Sequence, residues 1–330
     1  MPSSNRVGII GCGMIAGQFQ KLTDTKTYSH AKAISENEYF GEIGFYDRNP
    51  ERAHKIAHSF NGRRFGSIEE LLTSHKPLLV SICSPDNCHF EQISILLDHP
   101  NCPEIIFVEK PVCKTVSELD RLKEKLVRNP QVSLFVNHSR RFDERHVETA
   151  RAIRSNALGQ FTSCRMDYYG GWEHNGIHLV DFILMCFDNE LDVVNASYGC
   201  FSKYPGDETI HLSGNLGTGK FNFRAHDEKY YQITETDLFF ENGRVLISDF
   251  GQRFDYFEKI VNDEVENVLM HIPEKSGVAM QCQMSTAYAE LRRFLQTGEL
   301  KSLENVSIGT VEKVMRHVWK VKDTYAQLNS

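Results

Sequence analysis

The sequence predicts an α/β fold in two domains: an N-terminal Rossmann domain over residues 1–138 and a C-terminal α/β domain over residues 139–330 with a large, mostly antiparallel open sheet. Up to residue 138, short apolar runs rich in β-branched residues alternate with helical patterns, which is typical of a parallel sheet wrapped by helices. From about residue 160 onward, longer stretches indicate antiparallel strands instead. We find no internal repeat and no low-complexity linker.

In the first domain, short buried runs predict strands, and the stretches between them predict amphipathic helices. The strand candidates are Arg6–Ile10, Ile43–Tyr46, Leu78–Ile82, Glu104–Val108 and Val132–Val136. The helical candidates include Ile68–Thr73, Phe90–Leu97 and Val116–Val127. This alternation is what a doubly wound fold requires.

In the second domain, the pattern changes to successive antiparallel strands and then to helices. The strand candidates are Phe161–Tyr169, Val193–Phe201, Thr209–Asn215, Gly219–Arg224, Gln232–Phe240 and Arg244–Ile247. Asn242-Gly243, between the last two, is a hairpin signal. Two helical patterns, Met284–Leu295 and Gly309–Tyr325, close the chain.

Composition excludes several functional classes. The formal charge of −7 and the absence of Lys/Arg-rich runs argue against nucleic-acid binding. No apolar stretch reaches the ~18 residues of a membrane span, and the N-terminus shows no signal peptide. Nine irregularly spaced cysteines form no CxxC framework, so zinc fingers and disulfide scaffolds are not expected. We therefore expect a cytoplasmic protein.

The motif Gly11-x-Gly13-x-x-Ala16 follows a predicted strand and opens a predicted helix, which is the context of a dinucleotide fingerprint. The first glycine permits a tight turn, the second lets backbone approach a pyrophosphate, and Ala16 allows close helix packing. The phosphates would lie on free N–H groups at the start of the helix. Gly11, Gly13, Met14 and Ile15 are the cofactor-binding candidates of this loop.

Asp47 ends the second strand, where an acidic residue accepts hydrogen bonds from the adenosine ribose. It lies 36 positions after Gly11 (47 − 11), against a usual ~20, and an extended stretch around Thr23–Tyr39 explains the excess. Asp47 favours NAD, because its charge would repel a 2′-phosphate. Arg48 could stack on adenine or pair with that phosphate, so NADP stays open. Alternatively, Asp47 is a surface residue that caps a turn.

The third and fourth strands are followed by further candidates. Ser84 and Pro85 should border the cofactor, because the carboxyl ends of the strands face the ligand crevice in this fold. Glu109-Lys110-Pro111 places a lysine past the end of a buried strand, and its proline permits a cis peptide. The ammonium could orient a substrate hydroxyl and stabilise an alkoxide. The alternative is a surface lysine paired with Glu109.

A third constellation runs from Gly170 to Asp181 and continues into an apolar helix. His178 near the start of this helix could exchange a hydroxyl proton while a hydride moves to nicotinamide, since its pKa range suits acid/base work. Asp181 could orient His178 or simply belong to the helix. His174 and His178 have HExxH spacing, but Asn175 replaces the glutamate, so we predict no metal site.

These three motifs resemble the Gfo/Idh/MocA family, named after glucose–fructose oxidoreductase, inositol dehydrogenase and a rhizopine catabolism protein. The resemblance covers nearly the whole chain, and Glu-Lys-Pro is its most specific part. It rests on Gly11–Ala16, Asp47, Ser84-Pro85 with His89, Glu109-Lys110-Pro111, Val136–Phe142 and Gly176–Asp181. Lys110 and His178 match the family's catalytic positions, and Glu109 joins the cofactor-binding candidates.

The resemblance implies hydride transfer between NAD(P) and a carbinol or ketone of a sugar, polyol or nucleotide sugar. It also implies a homo-oligomer formed through the C-terminal sheet. Two alternatives stay open: a non-catalytic dinucleotide sensor on the same fold, and a redox-neutral enzyme that uses a transient keto sugar. Aromatic residues of the second domain could stack on a sugar or a base, or lie in the core: Tyr168, Tyr169, Trp172, Phe201 and Tyr204.

Two positions depart from the family pattern. His174 stands where many members carry an Asp, and His138 stands where a Tyr is common. The stretch Glu173–Gly176 looks more like a subgroup that acts on surface-polysaccharide or nucleotide sugars. The resulting substrate candidates are His138, Arg141, His174, Asn175 and Asp181, although Arg140 and Arg141 could equally be surface charges in a turn.

Overall fold

A computed structural model of the chain describes residues 5–187, 189–261, 266–279 and 281–329. These residues group into two compact units. The first unit comprises residues up to 142 together with 281–312, and the second comprises residues from 143 to 279 together with the stretch after 312. The predicted boundary after residue 138 remains a prediction about folding domains. The compact units differ from it in placing residues 281–312 with the first part of the chain.

The first unit is built on a six-stranded sheet with the order β3-β2-β1-β4-β5-β6, in which every neighbouring pair is parallel. Its strands are β1 Val7–Ile10, β2 Ile43–Tyr46, β3 Arg63–Arg64, β4 Leu79–Ile82, β5 Ile105–Glu109 and β6 Ser133–Asn137. This is the strand order of a Rossmann fold, with the switch point between β1 and β4. The predicted Rossmann fold is therefore confirmed. The sequence analysis missed β3, because the two residues Arg63–Arg64 are too few to show a strand pattern.

Helices surround this sheet. They are α1 His30–Ser35, α2 Pro50–Ser59, α3 Ile68–Glu70, α4 His89–Asp98, α5 Val116–Arg128 and α8 Gln283–Thr297. The predicted helix Ile68–Thr73 ends early as α3 and continues as a π-helical turn, Leu71–His75. The side chains of Asn49 and Thr115 accept backbone N–H groups at the starts of α2 and α5, which explains where those helices begin.

The core of the first unit includes residues that are distant in sequence. Met284, Ala287, Tyr288 and Leu291 of α8 are buried in the same cluster as the strand residues Ile9 and Phe107, among others. The helical period of α8 places these four apolar positions on one face. The last part of the sequence therefore completes the core around the amino-terminal sheet, which local patterns could not show.

The second unit contains a nine-stranded sheet with the order β14-β13-β12-β11-β7-β10-β9-β8, and β15 pairs with β13. Its strands are β7 Phe161–Tyr169, β8 Leu191–Tyr198, β9 Ile210–Leu216, β10 Gly219–His226, β11 Glu235–Phe240, β12 Gly243–Ser248, β13 Arg253–Ile260, β14 Val268–His271 and β15 Gly277–Val278. Among the strand pairs described in this second sheet, β7 and β10 are parallel and all others are antiparallel. The predicted mostly antiparallel sheet is confirmed.

The sequence prediction missed β13, β14 and β15. The run Arg253–Ile260 does alternate in polarity, so its signal was present. The hairpin at Asn242-Gly243 is confirmed, because Phe239 pairs with Arg244 across it. The remaining helices are α6 Glu144–Arg154, α7 Ile177–Cys186 and α9 Ile308–Leu328. The division between the two units falls within α9.

Candidate active site

The ends of three neighbouring strands place the first candidates side by side. Ile10 of β1 pairs with Ile82 of β4, and Ile82 pairs with Val108 of β5. The next residues along the chain, Gly11, Cys83 and Glu109, therefore lie side by side at one edge of the sheet. These carboxyl ends lie beside the β1–β4 switch point, where parallel α/β sheets bind their ligands.

Gly11 has no room for a side chain. Its φ is +87°, and a Cβ atom would lie 2.5 Å from the backbone nitrogen of Ser84. The loop after β1 therefore passes directly over the loop after β4, and a larger residue would force them apart. At Gly13, in contrast, no heavy atom lies within 4 Å of the Cβ position, so the backbone is open to an approaching group. This pair fits the backbone cradle that a pyrophosphate requires.

The helix that the sequence predicts after Gly13 is not formed as expected. Met14–Gln18 is a single π-helical turn, and Gly17 inside it has a φ of 138°, outside helical geometry. The next helix, α1, begins only at His30. The predicted helix start and its dipole are therefore not available to the phosphates, which would depend on the N–H groups of the loop itself. Met14 is exposed, Ile15 is half-buried and Ala16 is buried.

Asp47 fastens the glycine loop to the end of β2. Its Oδ2 accepts the Cys12 N–H at 2.7 Å, and its Oδ1 accepts the Asn49 N–H at 2.7 Å. The turn-capping role that the sequence left as an alternative is thus present. It is compatible with a second role, because a carboxylate offers about four acceptor sites. Arg48 beside it is exposed.

The loop after β4 is anchored by a buried histidine. His89, which is fully buried at the start of α4, lies 2.9 Å from the Ser84 carbonyl oxygen through Nε2 and 2.7 Å from the Pro111 carbonyl oxygen through Nδ1. Its ring joins the Ser84 loop to the Lys110-Pro111 loop. Ser84 is half-buried and donates to Gln92, and Pro85 is exposed.

Glu109 is the last residue of β5, and the peptide between Lys110 and Pro111 is cis. The Glu109 Oε1 atom accepts the Asn137 amide at 2.7 Å and lies 2.8 Å from Nε2 of His30. Burial acts to raise the pKa of Glu109, but these hydrogen bonds and the charge of Lys110 outweigh it and lower the pKa below its ordinary value. Glu109 is therefore an ionised, firmly held carboxylate, and Lys110 is half-buried next to it.

His30 and Tyr288 are residues of this neighbourhood that the sequence analysis missed. His30 is the first residue of α1, in the long stretch before β2, and Tyr288 lies in α8. Nδ1 of His30 is 2.7 Å from the Tyr288 hydroxyl, which is 2.6 Å from the Ser81 hydroxyl. Both rings are fully buried. The sequence signal for this contact was the polar His30 among the apolar residues of a short helical pattern.

Two further candidates at the end of β6 are buried. His138 is 1% exposed and Arg141 is 9% exposed. The interpretation of Arg141 as a surface charge in a turn is therefore wrong, whereas Arg140 is half-buried. A guanidinium is seldom buried without a specific role.

In the second unit, His174 and Asn175 lie in a π-helical turn, Trp172–Gly176, that leads into α7. Asp207 caps this turn: its Oδ1 accepts the Glu173 N–H and its Oδ2 accepts the His174 N–H, each at 2.8 Å. The imidazole of His174 stacks on the Tyr204 ring with centroids 3.7 Å apart. Asn175 donates its side-chain amide to the Tyr169 carbonyl oxygen. No sequence pattern pointed to Asp207.

His178 is the second residue of α7 and is half-buried, while Asp181 lies within α7 and is 1% exposed. Among the aromatic candidates, Tyr168 and Trp172 are fully buried core residues, and Phe201 is 65% exposed. Trp172 donates its indole N–H to the Val318 carbonyl oxygen. The core interpretation is thus confirmed for Tyr168 and Trp172.

Searches for metal and membrane features cover the described ranges only. Within them, no group of three or more His, Cys, Asp or Glu side chains could hold a metal ion. Within the same ranges, no helix has the length and apolar character that crossing a bilayer requires.

Comparison with known proteins identifies the family. Residues 5–138 match the Gfo/Idh/MocA model, described as an oxidoreductase family with an NAD-binding Rossmann fold. A glucose-6-phosphate 3-dehydrogenase from Bacillus subtilis (strain 168) is 25% identical over 212 residues, which are 56% of this chain and 54% of that protein. Residues 5–138 therefore match the NAD-binding domain of the Gfo/Idh/MocA family, the family that the motifs resemble. The match spans about half the length of this curated relative.

Solved structures extend the likeness of fold to nearly the whole chain. A UDP-N-acetylglucosamine 3-dehydrogenase from Acidithiobacillus ferrooxidans has a TM-score of 0.73 at 16% identity, with 98% of this chain and 99% of that chain covered. An oxidoreductase from Agrobacterium radiobacter in complex with NAD+ has a TM-score of 0.72 at 16% identity, with 98% and 97% covered. A 3-ketoreductase from Actinomadura kijaniata with NADP has a TM-score of 0.73 at 15% identity, with 96% and 95% covered.

Proposed function

We propose that this protein transfers a hydride between a nicotinamide dinucleotide and a carbinol or ketone carbon of a sugar-type substrate. The observation that carries the proposal is the common exit of β1, β4 and β5. There the side-chain-free Gly11 and Gly13 backbone lies at the same sheet edge as Glu109 and Lys110. A dinucleotide cradle and a positioned ammonium are the two parts that such a reaction needs.

Lys110 is proposed to bind and orient the reacting hydroxyl or carbonyl oxygen. A positive charge at that oxygen stabilises the alkoxide character that develops as hydride leaves the carbon. The nicotinamide, when bound, accepts or supplies the hydride. The Glu109 carboxylate, ionised and held by His30 and Asn137, supplies a negative charge that keeps the neighbouring lysine in its ammonium form.

His178 is proposed to exchange the hydroxyl proton. Its place in the first turn of α7 leaves the ring half-buried, and an imidazole titrates in the range that proton exchange near neutrality requires. His138, Arg141, His174, Asn175 and Asp181 are proposed as substrate-binding residues. The buried guanidinium of Arg141 and the fixed ring of His174 support this assignment.

We propose NAD as the cofactor, held by Gly11, Gly13, Met14, Ile15, Ser84, Pro85 and Glu109 together with Asp47 and Arg48. The Asp47 carboxylate, fixed by two backbone N–H groups, would accept ribose hydroxyls and repel a 2′-phosphate. One feature supports NADP instead: Arg52 and Lys55, together with Glu51, line a cavity of about 160 Å³ between Gly17-Gln18 and α2. Comparing both nucleotides decides between them.

We also propose a homo-oligomer formed through the second sheet and a reducing, cytoplasmic location. The family resemblance supports the first, and sedimentation of the purified chain tests it. The nine cysteines, all free thiols, support the second.

The test follows the absorbance of reduced nicotinamide with a panel of free sugars, inositols, sugar phosphates and UDP-sugars, using NAD+ and NADP+ in parallel. The glucose-6-phosphate 3-dehydrogenase relative makes sugar phosphates the first compounds to try. Reduction by the wild type that Lys110→Ala abolishes would support the proposal. Cofactor binding without reduction across the panel would favour a sensor, and product formation without net reduction would identify a redox-neutral enzyme.

A further inference from the structure

The stretch between the glycine loop and β2 has no part in the proposed reaction, although it lengthens the spacing from Gly11 to Asp47. It contains α1, whose start is fixed by the Ser29 side chain, which accepts the Lys32 N–H. The first residue of α1 is His30, which is fully buried. The extra length therefore brings one imidazole into the interior beneath the end of β5.

His30 is in contact with polar groups on both sides of its ring. Nε2 lies 2.8 Å from Oε1 of Glu109, and Nδ1 lies 2.7 Å from the Tyr288 hydroxyl. Because the carboxylate can only accept, Nε2 carries a proton. Nδ1 on the other side of the ring is within hydrogen-bond distance of the Tyr288 hydroxyl, which is 2.6 Å from the Ser81 hydroxyl. One hydrogen-bonded chain thus joins β4, α8 and α1 to Glu109.

Aromatic packing fixes this chain in place. The His30 ring meets Phe107 and Tyr288 edge-on at centroid distances of 5.6 and 5.7 Å, and Phe107 meets Tyr288 edge-on at 5.7 Å. Close-packed rings leave His30 little freedom to rotate. The carboxylate that receives its hydrogen bond is therefore held in one position.

The Glu109–Pro111 segment is restrained at both ends. At one end, Glu109 pairs with Asn137 in the sheet and receives side-chain hydrogen bonds from Asn137 and His30. At the other end, His89 contacts the Pro111 carbonyl oxygen at 2.7 Å. Lys110 lies between these two restraints, so its backbone position depends on both.

We propose that His30 is a positioning residue for Lys110: by holding the Glu109 carboxylate, it fixes the lysine backbone at the end of β5 and keeps a negative charge beside the ammonium group. The catalytic part of this inference rests on the proposed function of Lys110, whereas the positional part does not. The function of the long stretch before β2 is thereby to place His30 against Glu109.

The titratable groups that face Glu109 are His30 from α1, Tyr288 from α8, Cys83 after β4 and Lys110, which follows Glu109 in sequence. Burial raises the pKa of Cys83 and of Tyr288 well above their ordinary values, so both stay neutral over the working range of pH. The hydrogen bonds from His30 and Asn137 lower the pKa of Glu109. Loss of His30 should therefore raise the pKa of Glu109.

The positional part is tested on the cofactor-free protein by reductive methylation of Lys110, followed by mass spectrometry between pH 7 and 9. The rate at the exposed Lys229 serves as the internal reference. In His30→Met, which removes both hydrogen bonds, we expect Lys110 to react roughly 3-fold to 10-fold faster, because its ammonium form loses a fixed negative partner. His30→Gln, which can still donate to Glu109, should restore a rate within about 2-fold of the wild type.

His75→Met is the matched control, since His75 is also buried in the first unit but contacts the Val7 and Glu42 carbonyl oxygens instead. It should leave Lys110 labelling unchanged. Should His30→Met fail to fold, as judged by circular dichroism, His30→Phe takes its place, because it keeps a ring against Phe107 and Tyr288 but cannot donate a hydrogen bond to Glu109. Faster labelling in that variant would support the proposal, and wild-type labelling would overturn it.

The catalytic part is tested by the pH dependence of turnover. We expect His30→Met to lower kcat roughly 10-fold with little change in the sugar KM, and to move the acidic limb of the kcat profile to higher pH. An unchanged labelling rate together with an unchanged pH profile would overturn the inference. A wild type that turns over no substrate, with faster labelling in His30→Met, would instead remove the proposed reaction and keep the positional role.

Discussion

Both units hold carboxylates by hydrogen bonds, but the donors differ between the two units. In the first unit, Asp47 accepts backbone N–H groups, and Glu109 accepts an amide and an imidazole. In the second unit, Asp167 and Asp237 each receive a two-pronged hydrogen bond from an arginine, Arg224 and Arg244. Asp47 and Glu109 lie at strand ends near the glycine loop. Asp167 and Asp237 lie within strands of the open sheet.

The partner decides what the carboxylate can do. A guanidinium cancels the charge of its carboxylate, so little field remains for a ligand, although the pair can order the sheet. A carboxylate held by backbone, amide or imidazole donors stays available to ribose hydroxyls or to a neighbouring lysine. A lowered pKa alone does not separate the two cases, since both Glu109 and Asp167 show it. The identity of the donors is the better guide to function.

The largest effect is expected for replacement of Lys110, the lysine next to the Glu109 carboxylate. We expect Lys110→Met to reduce kcat by about 10²–10⁴-fold, because the developing alkoxide loses its positive partner. Steady-state kinetics with the best substrate of the panel measure it. Lys125→Met, which removes a lysine of α5 that pairs with Asp98 of α4, is the control and should retain wild-type turnover. Equal activity of the two variants would refute the assignment of Lys110.

The next largest effect concerns Asp47 and nucleotide choice. Asp47→Asn keeps an acceptor for the Cys12 N–H but removes the charge that would repel a 2′-phosphate. We expect the preference for NAD over NADP, measured as a ratio of dissociation constants, to fall roughly 10-fold or more. Asp98→Asn on the surface should leave the ratio unchanged. A constant ratio in Asp47→Asn would leave Asp47 as a turn-capping residue only.

Glu109→Gln tests the charge itself. The amide keeps the size of the side chain, yet it removes the negative charge next to Lys110. We expect kcat to fall roughly 10-fold and the activity at alkaline pH to be lost at lower pH than in the wild type, since the ammonium form is less favoured. The unfolding midpoint should change much less than the activity. A stability loss with unchanged kcat would place Glu109 in the same class as Asp167.

These comparisons also show what sequence could predict. The positions of most strands of the first sheet, the glycine turn at Gly11 and the loop after β5 follow from local patterns, because strand period, turn chemistry and X-Pro geometry are local properties. The contact between His30 and Tyr288 joins residues 258 positions apart, and that between His30 and Glu109 joins residues 79 apart. Periodicity reports that a side chain is buried but not which polar group it meets.

The same limit applies to Arg141 and to the helix after Gly13. Charge and turn-like surroundings suggested exposure for Arg141, yet tertiary packing buries it. The spacing Gly11-x-Gly13-x-x-Ala16 predicted a regular helix, but Gly17 adopts a φ of 138° and ends the turn. A glycine immediately after the fingerprint was the available signal, since glycine is a poor residue for a helix interior.

The smallest effect is expected at Asp167, where the comparison between the units predicts a change in stability rather than in turnover. Its side chain is 2% exposed and contacts Arg224 and His226. Burial acts to raise the pKa of Asp167, but the hydrogen bonds from both partners outweigh it and hold the pKa below its ordinary value. A group with a lowered folded-state pKa stabilises the protein above the unfolded pKa of about 3.9, and that stabilisation is lost as pH falls through the folded value.

Asp167→Asn should therefore lower the free energy of unfolding at pH 7 by about 1–3 kcal/mol, the scale for a hydrogen-bonded charged group. The difference from the wild type should shrink as pH falls from about 5 to 2, because protonation removes the same charge from the wild type. Urea unfolding at several pH values measures both quantities, and kcat at pH 7 should stay within about 2-fold of the wild type. A difference that persists at pH 2 would mean that packing around Asp167, rather than its charge, accounts for the loss. A fall in kcat comparable to that of Glu109→Gln would contradict the distinction between guanidinium-paired carboxylates and those of the cradle.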